Sequence, residues 1–190
     1  MRTAIFGGSF NPIHKGHLGL AQAILDQNLA DELWFMVSPQ NPLKQQEGLL
    51  DEACRLELAQ LAVQHYPGMM ASDFEFHLPR PSYTWKTLEA LCARYPDRSF
   101  SLVIGGDNWA IFPKWAHYEE LMANYPLIIY PREGSPISAA DLPPTARLVD
   151  APLFPWSSTQ VREAIAAGTA VEDMLPDAVL QLIRERNYYR

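Results

Sequence analysis

The stretch from Gly7 to His17 brings together the residues of this 190-residue chain that are best suited to binding an anion. It reads Gly-Gly-Ser-Phe-Asn-Pro-Ile-His-Lys-Gly-His and lies between a short apolar run and a segment with helical periodicity. Adjacent glycines let backbone amides turn toward an anion, and the free N–H groups at a helix start favour phosphate. His14 and His17 are three residues apart, so one helical turn places both imidazoles on one face. The pattern predicts a phosphate site with two imidazole donors.

Three other interpretations of this stretch are weaker. A strand followed by two glycines also occurs as a plain turn. A structural zinc site needs two more soft or imidazole ligands, and the remaining histidines, His65, His77 and His117, lack the spacing to supply them. Neither the GxxxxGK[ST] loop nor the GxGxxG dinucleotide pattern occurs. We therefore assign no residue as a metal ligand and favour phosphate binding.

A second anion site is predicted near the carboxyl end, at Ser157-Ser158-Thr159-Gln160-Val161-Arg162. Ser157 and Gln160 fit a capping box, which alone would indicate no more than a capped helix. Three consecutive hydroxyls followed by an arginine one turn later exceed what a cap requires. Hydroxyls, amides and a guanidinium at a helix start suit an anion. A triphosphate is long enough to occupy both predicted sites.

The elements that would position these residues alternate between strand and helix. The strand candidates are apolar throughout: Arg2–Phe6, Leu33–Val37, Met69–Phe74, Phe100–Ile104, Leu127–Tyr130 and the weaker Arg147–Val149. The helix candidates have one apolar face: Leu18–Leu29, Asp51–His65, Trp85–Tyr95, Thr159–Ala167 and Asp177–Arg186. This alternation predicts an α/β fold, a doubly wound Rossmann-like parallel sheet with helices on both faces. Site residues are then expected directly after Phe6, Val37, Ile104 and Tyr130.

Composition narrows the class of protein. Hydrophobic residues make up 48% of the chain and the net charge is −7, so a core can form but a basic face for duplex DNA is not expected. No apolar run reaches the roughly 18–20 residues of a membrane span, and the amino terminus does not resemble a signal peptide. Cys54 and Cys92 stand alone, without disulfide or zinc spacing. We expect a cytoplasmic protein with one domain over residues 1–190 and neither nucleic acid nor membrane as a partner.

Two motifs carry a resemblance to a known superfamily. Gly7–His17 resembles the (His/Thr)-x-Gly-His signature of the nucleotidylyltransferases, and SSTQVR resembles their Ser-Ser-Thr-x-x-Arg signature. Four further segments look like those typical of bacterial nicotinate-nucleotide adenylyltransferases: Pro39–Lys44, Ser82–Leu88, Ile104–Asn108 and Trp115. In this order the motifs cover roughly residues 2–165, which is much more specific than the first signature alone.

The resemblance implies a reaction and a set of site residues. ATP, carrying Mg²⁺, would react with nicotinate mononucleotide to give nicotinate adenine dinucleotide and pyrophosphate. His14, His17 and Arg162 would be the catalytic residues. ATP would be bound by Gly7, Gly8, Ser9, Phe10, Lys44, Gly105, Asp107, Ser157, Ser158, Thr159 and Arg162. Trp115 would stack on the pyridine ring, while Tyr83 and Thr84 would lie near its carboxylate.

Some features of the chain depart from the family pattern, and two alternative functions stay open. Asn11 stands where many relatives have Asp, and Leu43 stands where many have His. A phosphopantetheine acceptor is disfavoured because Thr usually replaces His14 in those relatives. Nicotinamide mononucleotide as the preferred acceptor is one alternative, and an inactive nucleotide-binding module is the other.

Overall fold

The computed structural model describes residues 1–39 and 48–190 and contains a six-stranded sheet. Its strands are Arg2–Gly8 (β1), Glu32–Val37 (β2), Met69–Ser72 (β3), Ser99–Gly105 (β4), Leu127–Tyr130 (β5) and Ala146–Leu148 (β6). Every neighbouring pair is parallel, in the order β3-β2-β1-β4-β5-β6. The strand order reverses direction between β1 and β4, which is the switch point where doubly wound sheets bind ligands.

Helices cover both faces of this sheet, as the sequence predicts. They are Lys15–Asp26 (α1), Glu52–Val63 (α2), Thr84–Arg94 (α3), Gly106–Ala110 (α4), Tyr118–Asn124 (α5), Ser158–Ala166 (α6) and Asp177–Glu185 (α7), with 3-10 turns at Phe74–His77, Phe112–Lys114 and Ala139–Asp141. Within β1, Ala4 and Phe6 join the core beneath α1, α2, α6 and α7, whereas Ile5 joins the core beneath α3 and α5. Across the described ranges, no helix is both long and apolar enough to cross a membrane.

Most element bounds shift by one to three residues, and three differences are larger or have a clear physical reason. The strand expected over Met69–Phe74 ends at Ser72, and Phe74 begins a 3-10 turn. The first helix begins at Lys15, before its first apolar residue, because a helix start is set by its cap rather than by its buried face. The short helices α4 and α5 were not predicted, since five and seven residues give too few turns for apolar periodicity to show.

A buried arginine of α2 connects the loops that follow β1 and β2. Arg55 is fully buried, and its guanidinium donates to the carbonyls of Ser9 (2.6 Å), Ser38 (2.8 Å), Pro39 (3.2 Å) and Leu50 (2.8 Å). Burial lowers the pKa of this side chain, yet its N–H groups have backbone acceptors in place of water. Arg55 therefore holds the loop containing Ser9 against the chain that flanks β2.

Candidate active site

Two clefts meet at the carboxyl ends of β1, β4 and β5, where the sequence places the site. The first cleft has a volume of about 380 Å³ and the second of about 370 Å³. Phe6 and Tyr130 line both clefts, so they form the boundary between them. Residues directly after Phe6, Val37, Ile104 and Tyr130, where site residues were predicted, line one cleft or the other.

His14 and His17 lie together on the wall of the first cleft. His14 is the N-cap of α1 and His17 is its third residue, and their rings stack with centroids 3.7 Å apart. The prediction that both imidazoles share one face is confirmed. The amide of His14 donates to Nδ1 of His17 at 3.2 Å, so a neutral His17 carries its proton on Nε2. Phe6 and Phe10 contact the His17 ring edge-on and fix its orientation.

His14 is held neutral by its surroundings. Its residue is 3% exposed, and burial, with a smaller contribution from the positive charge of Arg132, lowers the pKa of His14 from 6.5 to about 4. Its Nε2 has no hydrogen-bond partner within residues 1–39 and 48–190, which is unusual for a buried polar atom. Gly16 leaves room beside the ring, since a Cβ there would lie 3.0 Å from it. A ligand in the cleft would supply the missing partner.

Arg132 adds a positive charge to the same cleft and was missed by the sequence reasoning. It follows β5 and lines the cleft beside Tyr130, and its guanidinium lies 5.6 Å from the centre of the Tyr130 ring. A guanidinium nitrogen of Arg132 is 3.6 Å from Oδ2 of Asp107. The sequence does hold one indication of this residue, which is its position. Arg132 comes two residues after the end of β5, at the edge of the sheet where doubly wound folds bind ligands.

The predicted carboxyl-terminal motif packs against the loop between β1 and α1. The capping box is present, since Ser157 and Gln160 bond reciprocally at the start of α6, and Ser157 lines the first cleft. Ser158 donates its hydroxyl hydrogen to the carbonyl of Pro12 at 2.9 Å. Arg162 donates to the carbonyl of Asn11 at 2.9 Å and to Thr159 Oγ1 at 3.3 Å.

Asn11 connects this loop to the carboxyl terminus of the chain. Its amide nitrogen donates to the carbonyl of Gly48 at 2.8 Å. Its Oδ1 accepts from the amide of Leu50 at 3.2 Å and from the hydroxyl of Tyr189 at 2.8 Å. Burial raises the pKa of Tyr189, so this hydroxyl keeps its proton. Tyr189 was also missed, because nothing in the terminal sequence indicates which loop it reaches.

The second cleft is mainly apolar and holds the residues predicted for the acceptor. Trp115, Tyr83 and Thr84 line it together with the backbone of Gly7 and Gly105. Space beside the Cα of Gly7 is open, with no atom within 4 Å of a Cβ built there. At the start of α3 no described side chain caps the amides and no acidic residue occupies the first turn, so this helix end suits a carboxylate.

A buried carboxyl group, Glu75, also lines the second cleft and was not predicted. It is 9% exposed and accepts from the hydroxyls of Thr87 at 2.9 Å and Ser82 at 3.4 Å. Burial raises the pKa of Glu75, opposed by hydrogen bonds from Thr87, Ser38 and Ser82. The 3-10 turn that carries Glu75 is too short for a periodic pattern, so the sequence does not predict where this carboxyl group lies.

The remaining residues predicted for the site do not share one location. Phe10 is buried against Phe6, Phe35 and His17 and lines neither cleft. Gly8 lines the second cleft. Asp107 lines neither cleft but pairs with Arg132, which lines the first. Lys44 and Leu43 lie outside the described residues. The roles given to these positions stay predictions.

Comparison with known proteins identifies the family. Residues 5–164 match the family model described as cytidylyltransferase-like. A probable nicotinate-nucleotide adenylyltransferase of Bacteroides fragilis is 47% identical over 182 residues, covering 96% of this chain and 90% of the relative. One of the same name from Bacteroides thetaiotaomicron is 49% identical over 185 residues, covering 97% and 92%.

Solved structures support the same fold. The nicotinic acid mononucleotide adenylyltransferase of Plasmodium falciparum, complexed with NaAD, superposes with a TM-score of 0.84 at 21% identity, covering 99% of this chain and 97% of that one. A putative nicotinate-nucleotide adenylyltransferase from Vibrio parahaemolyticus gives a TM-score of 0.75 at 22% identity, covering 100% and 95%. With its parallel sheet, its paired histidines and these relatives, the chain belongs to the cytidylyltransferase-like family, among sequences named nicotinate-nucleotide adenylyltransferases.

Proposed function

We propose that this protein transfers the adenylyl group of ATP to nicotinate mononucleotide, giving nicotinate adenine dinucleotide and pyrophosphate. The observation that carries the proposal is the meeting of two clefts at Phe6 and Tyr130, one with stacked histidines and an arginine, the other apolar with an aromatic wall. Two nucleotides bound in these clefts would bring their phosphates together at the shared boundary. The names of the relatives at 47% and 49% identity agree with this activity.

The residues of the first cleft suit the reaction because the nucleophile is already an anion. A phosphate oxygen of the mononucleotide would form a bond to the α-phosphorus of ATP while the bond from that phosphorus to the β-phosphate oxygen breaks. No general base is required, so catalysis depends on positioning and charge stabilisation. His17, with its proton on Nε2, and neutral His14 would donate hydrogen bonds to the triphosphate, and Arg132 would attract it.

The carboxyl-terminal motif has a less direct part in this arrangement. Arg162, Ser158 and Thr159 contact the loop before α1 or one another. They would hold that loop, and Arg162 would turn to the departing pyrophosphate when ATP is bound. We assign Gly105 and Asp107 to the ATP ribose on the resemblance, and Lys44 to the triphosphate.

In the second cleft, Trp115 would stack on the pyridine ring. The uncapped start of α3 at Tyr83 and Thr84 would receive the nicotinate carboxylate. An amide in place of that carboxylate would lose the interaction between a negative charge and the helix dipole, which is worth about 0.3–1 kcal/mol at exposed sites. We therefore favour the acid over the amide mononucleotide.

Mg²⁺ would enter with ATP. The described residues contain no cluster of three or more acidic, histidine or cysteine side chains that could hold a metal ion. Mg²⁺ bound to nucleotides takes many of its ligands from phosphates and water, which fits a site built mainly from imidazole and guanidinium donors. The ion would neutralise part of the triphosphate charge.

The test is pyrophosphate release from ATP and Mg²⁺, with nicotinate mononucleotide, nicotinamide mononucleotide and phosphopantetheine assayed in parallel. Release that is fastest with the acid mononucleotide is the expected result. A preference for the amide mononucleotide would leave the assignment of the two clefts unchanged but would contradict the proposed acceptor. No release with any acceptor, from folded protein that binds ATP, would indicate a binding module instead.

A further inference from the structure

Glu75 is a buried carboxyl group in the wall of the second cleft. Three hydroxyls, from Ser38, Ser82 and Thr87, donate to it. Among the described residues, no Lys, Arg or His forms an ion pair with Glu75. Lys114 lines the same cleft, but it is exposed and forms no ion pair with Glu75. Hydrogen bonds from these three hydroxyls favour the ionised form and so oppose the effect of burial, which raises the pKa of Glu75.

This arrangement is costly unless something else in the cleft compensates. Removing a carboxylate from water carries a large penalty, and hydrogen bonds offset only part of it. The neighbouring walls of the cleft are apolar, formed by Ile5, Met36 and Leu88. A glutamine would form similar hydrogen bonds without the charge. A negative charge at this place is therefore best explained by a positive charge on the bound molecule.

We propose that Glu75 determines specificity by balancing the fixed positive charge of a flat aromatic cation, the pyridinium ring of the acceptor mononucleotide. This rests on the proposed function, because it assumes that the mononucleotide occupies the second cleft. Trp115 supplies a plane for the ring, and the start of α3 receives the ring carboxylate. Glu75, anchored through Ser82 and Thr87 at that same helix start, recognises the ring charge, which uncharged heterocycles lack.

The experiment compares two ligands that differ in this charge. Nicotinate mononucleotide carries a pyridinium, whereas its 1,4-dihydro form has the same carboxylate and phosphate on a neutral ring. Dissociation constants for both are measured by calorimetry with the full-length wild type and with Glu75→Gln. We expect the wild type to bind the oxidised form more tightly, and the ratio of the two constants to fall on the order of tenfold in Glu75→Gln, because the variant loses one attraction between opposite unit charges.

Two further variants distinguish the effect of the Glu75 charge from the structural role of its side chain. Glu89→Gln removes one negative charge from an exposed position on α3 and should leave the ratio unchanged. Glu75→Asp keeps the charge and should retain the preference for the oxidised ring even where overall binding weakens. Glu75→Asp also tests the proposal if Glu75→Gln does not fold, since loss of the preference in Glu75→Asp would count against it.

Several results would overturn the assignment. If Glu75→Gln weakens the binding of both ligands equally, Glu75 acts only by positioning Ser82 and Thr87. An unchanged ratio, or a wild type that binds both forms equally, would show that the ring charge is not recognised while leaving the proposed function intact. A wild type that binds neither form would overturn the proposed function together with this inference.

Discussion

The two clefts on either side of Phe6 and Tyr130 differ in the polar groups that line them. The first combines two imidazoles with the guanidinium of Arg132 and the carboxylate of Glu133, while the second is mainly apolar and contains the buried carboxyl of Glu75 and the exposed Lys114. A triphosphate is a polyanion, whereas a pyridine mononucleotide presents a cationic ring as well as a phosphate. On the proposed function, both ligands would bind at one edge of the sheet, and the side chains around each strand end would decide which ligand each cleft takes.

The clefts also differ in how their residues are spread along the chain. The histidines of the first belong to one loop and helix start, so their spacing alone puts their rings together. The second draws on the segment after β3, the start of α3 and the turn before α5. The residues of the second cleft therefore come together only in the tertiary structure, and their spacing in the sequence does not predict it.

The largest effect expected is on the first cleft, from His17→Ala. Removing one preorganised donor to a developing charge costs about 10²–10³ in turnover. We expect kcat for pyrophosphate release to fall by that factor, with little change in the KM for the mononucleotide, because His17 lies outside the second cleft. His77→Ala, at an exposed histidine, is the control and should behave as wild type. An unchanged kcat in His17→Ala would remove His17 from the catalytic residues.

The next effect concerns the pH dependence of stability. The folded protein keeps His14 neutral down to a pH of about 4, while the unfolded chain protonates it near 6.5. The unfolded state therefore binds the proton first, and the free energy of unfolding decreases as pH falls through this range, by about 3 kcal/mol from His14 alone. Urea denaturation at pH 7 and pH 4.5 should show a smaller difference for His14→Gln than for wild type. Equal differences would contradict the burial of a neutral His14.

The contrast between the clefts also explains what could be predicted from sequence. The parallel sheet with helices on both faces, the paired rings and the capping box at Ser157 follow from local patterns, and the structure confirms them. Arg132 and Glu75 lie on short segments without periodicity. Their importance arises from which strands are neighbours, which local sequence does not encode.

Tyr189 is missed for a related reason. Its partner Asn11 is 178 residues away along the chain, and a single hydrogen bond leaves no pattern in the sequence. Arg162 was predicted as a phosphate ligand from its motif. Its contact with the carbonyl of Asn11 could not be foreseen, because it depends on how α6 packs beside the first loop.

A smaller effect is expected in the second cleft, from Trp115→Ala. Stacking of a base on an aromatic side chain is worth about 1–3 kcal/mol. We expect the KM for the mononucleotide to rise roughly tenfold while the KM for ATP changes little, and Trp115→Phe to recover part of the loss. Trp85→Ala, at a tryptophan outside the cleft lining, is the matched control. If Trp115→Ala raises both KM values alike and lowers the melting temperature, the residue supports Phe112 and does not bind the ring.

The smallest effect is expected at the carboxyl terminus, from Tyr189→Phe. The variant loses the hydrogen bond to Oδ1 of Asn11, but that oxygen keeps the amide of Leu50 as a donor. The cost should therefore be about 1 kcal/mol, which lowers the melting temperature by roughly 2–4 °C in a chain of this size. Because Asn11 lies in the loop that leads to His14, the KM for ATP should also rise about threefold.

The neighbouring residue, Tyr188, provides the control for Tyr189→Phe. The hydroxyl of Tyr188 donates to Cys54 Sγ at 3.2 Å and accepts from Arg186 at 3.1 Å, and neither partner belongs to the loop before α1. Tyr188→Phe should lower the melting temperature by a similar amount without changing the KM for ATP. Thermal unfolding and initial-rate kinetics on both variants compare the two adjacent hydroxyls directly. If both variants change the KM for ATP equally, the terminal segment acts through general stability, and the first cleft does not depend on the contact between Tyr189 and Asn11.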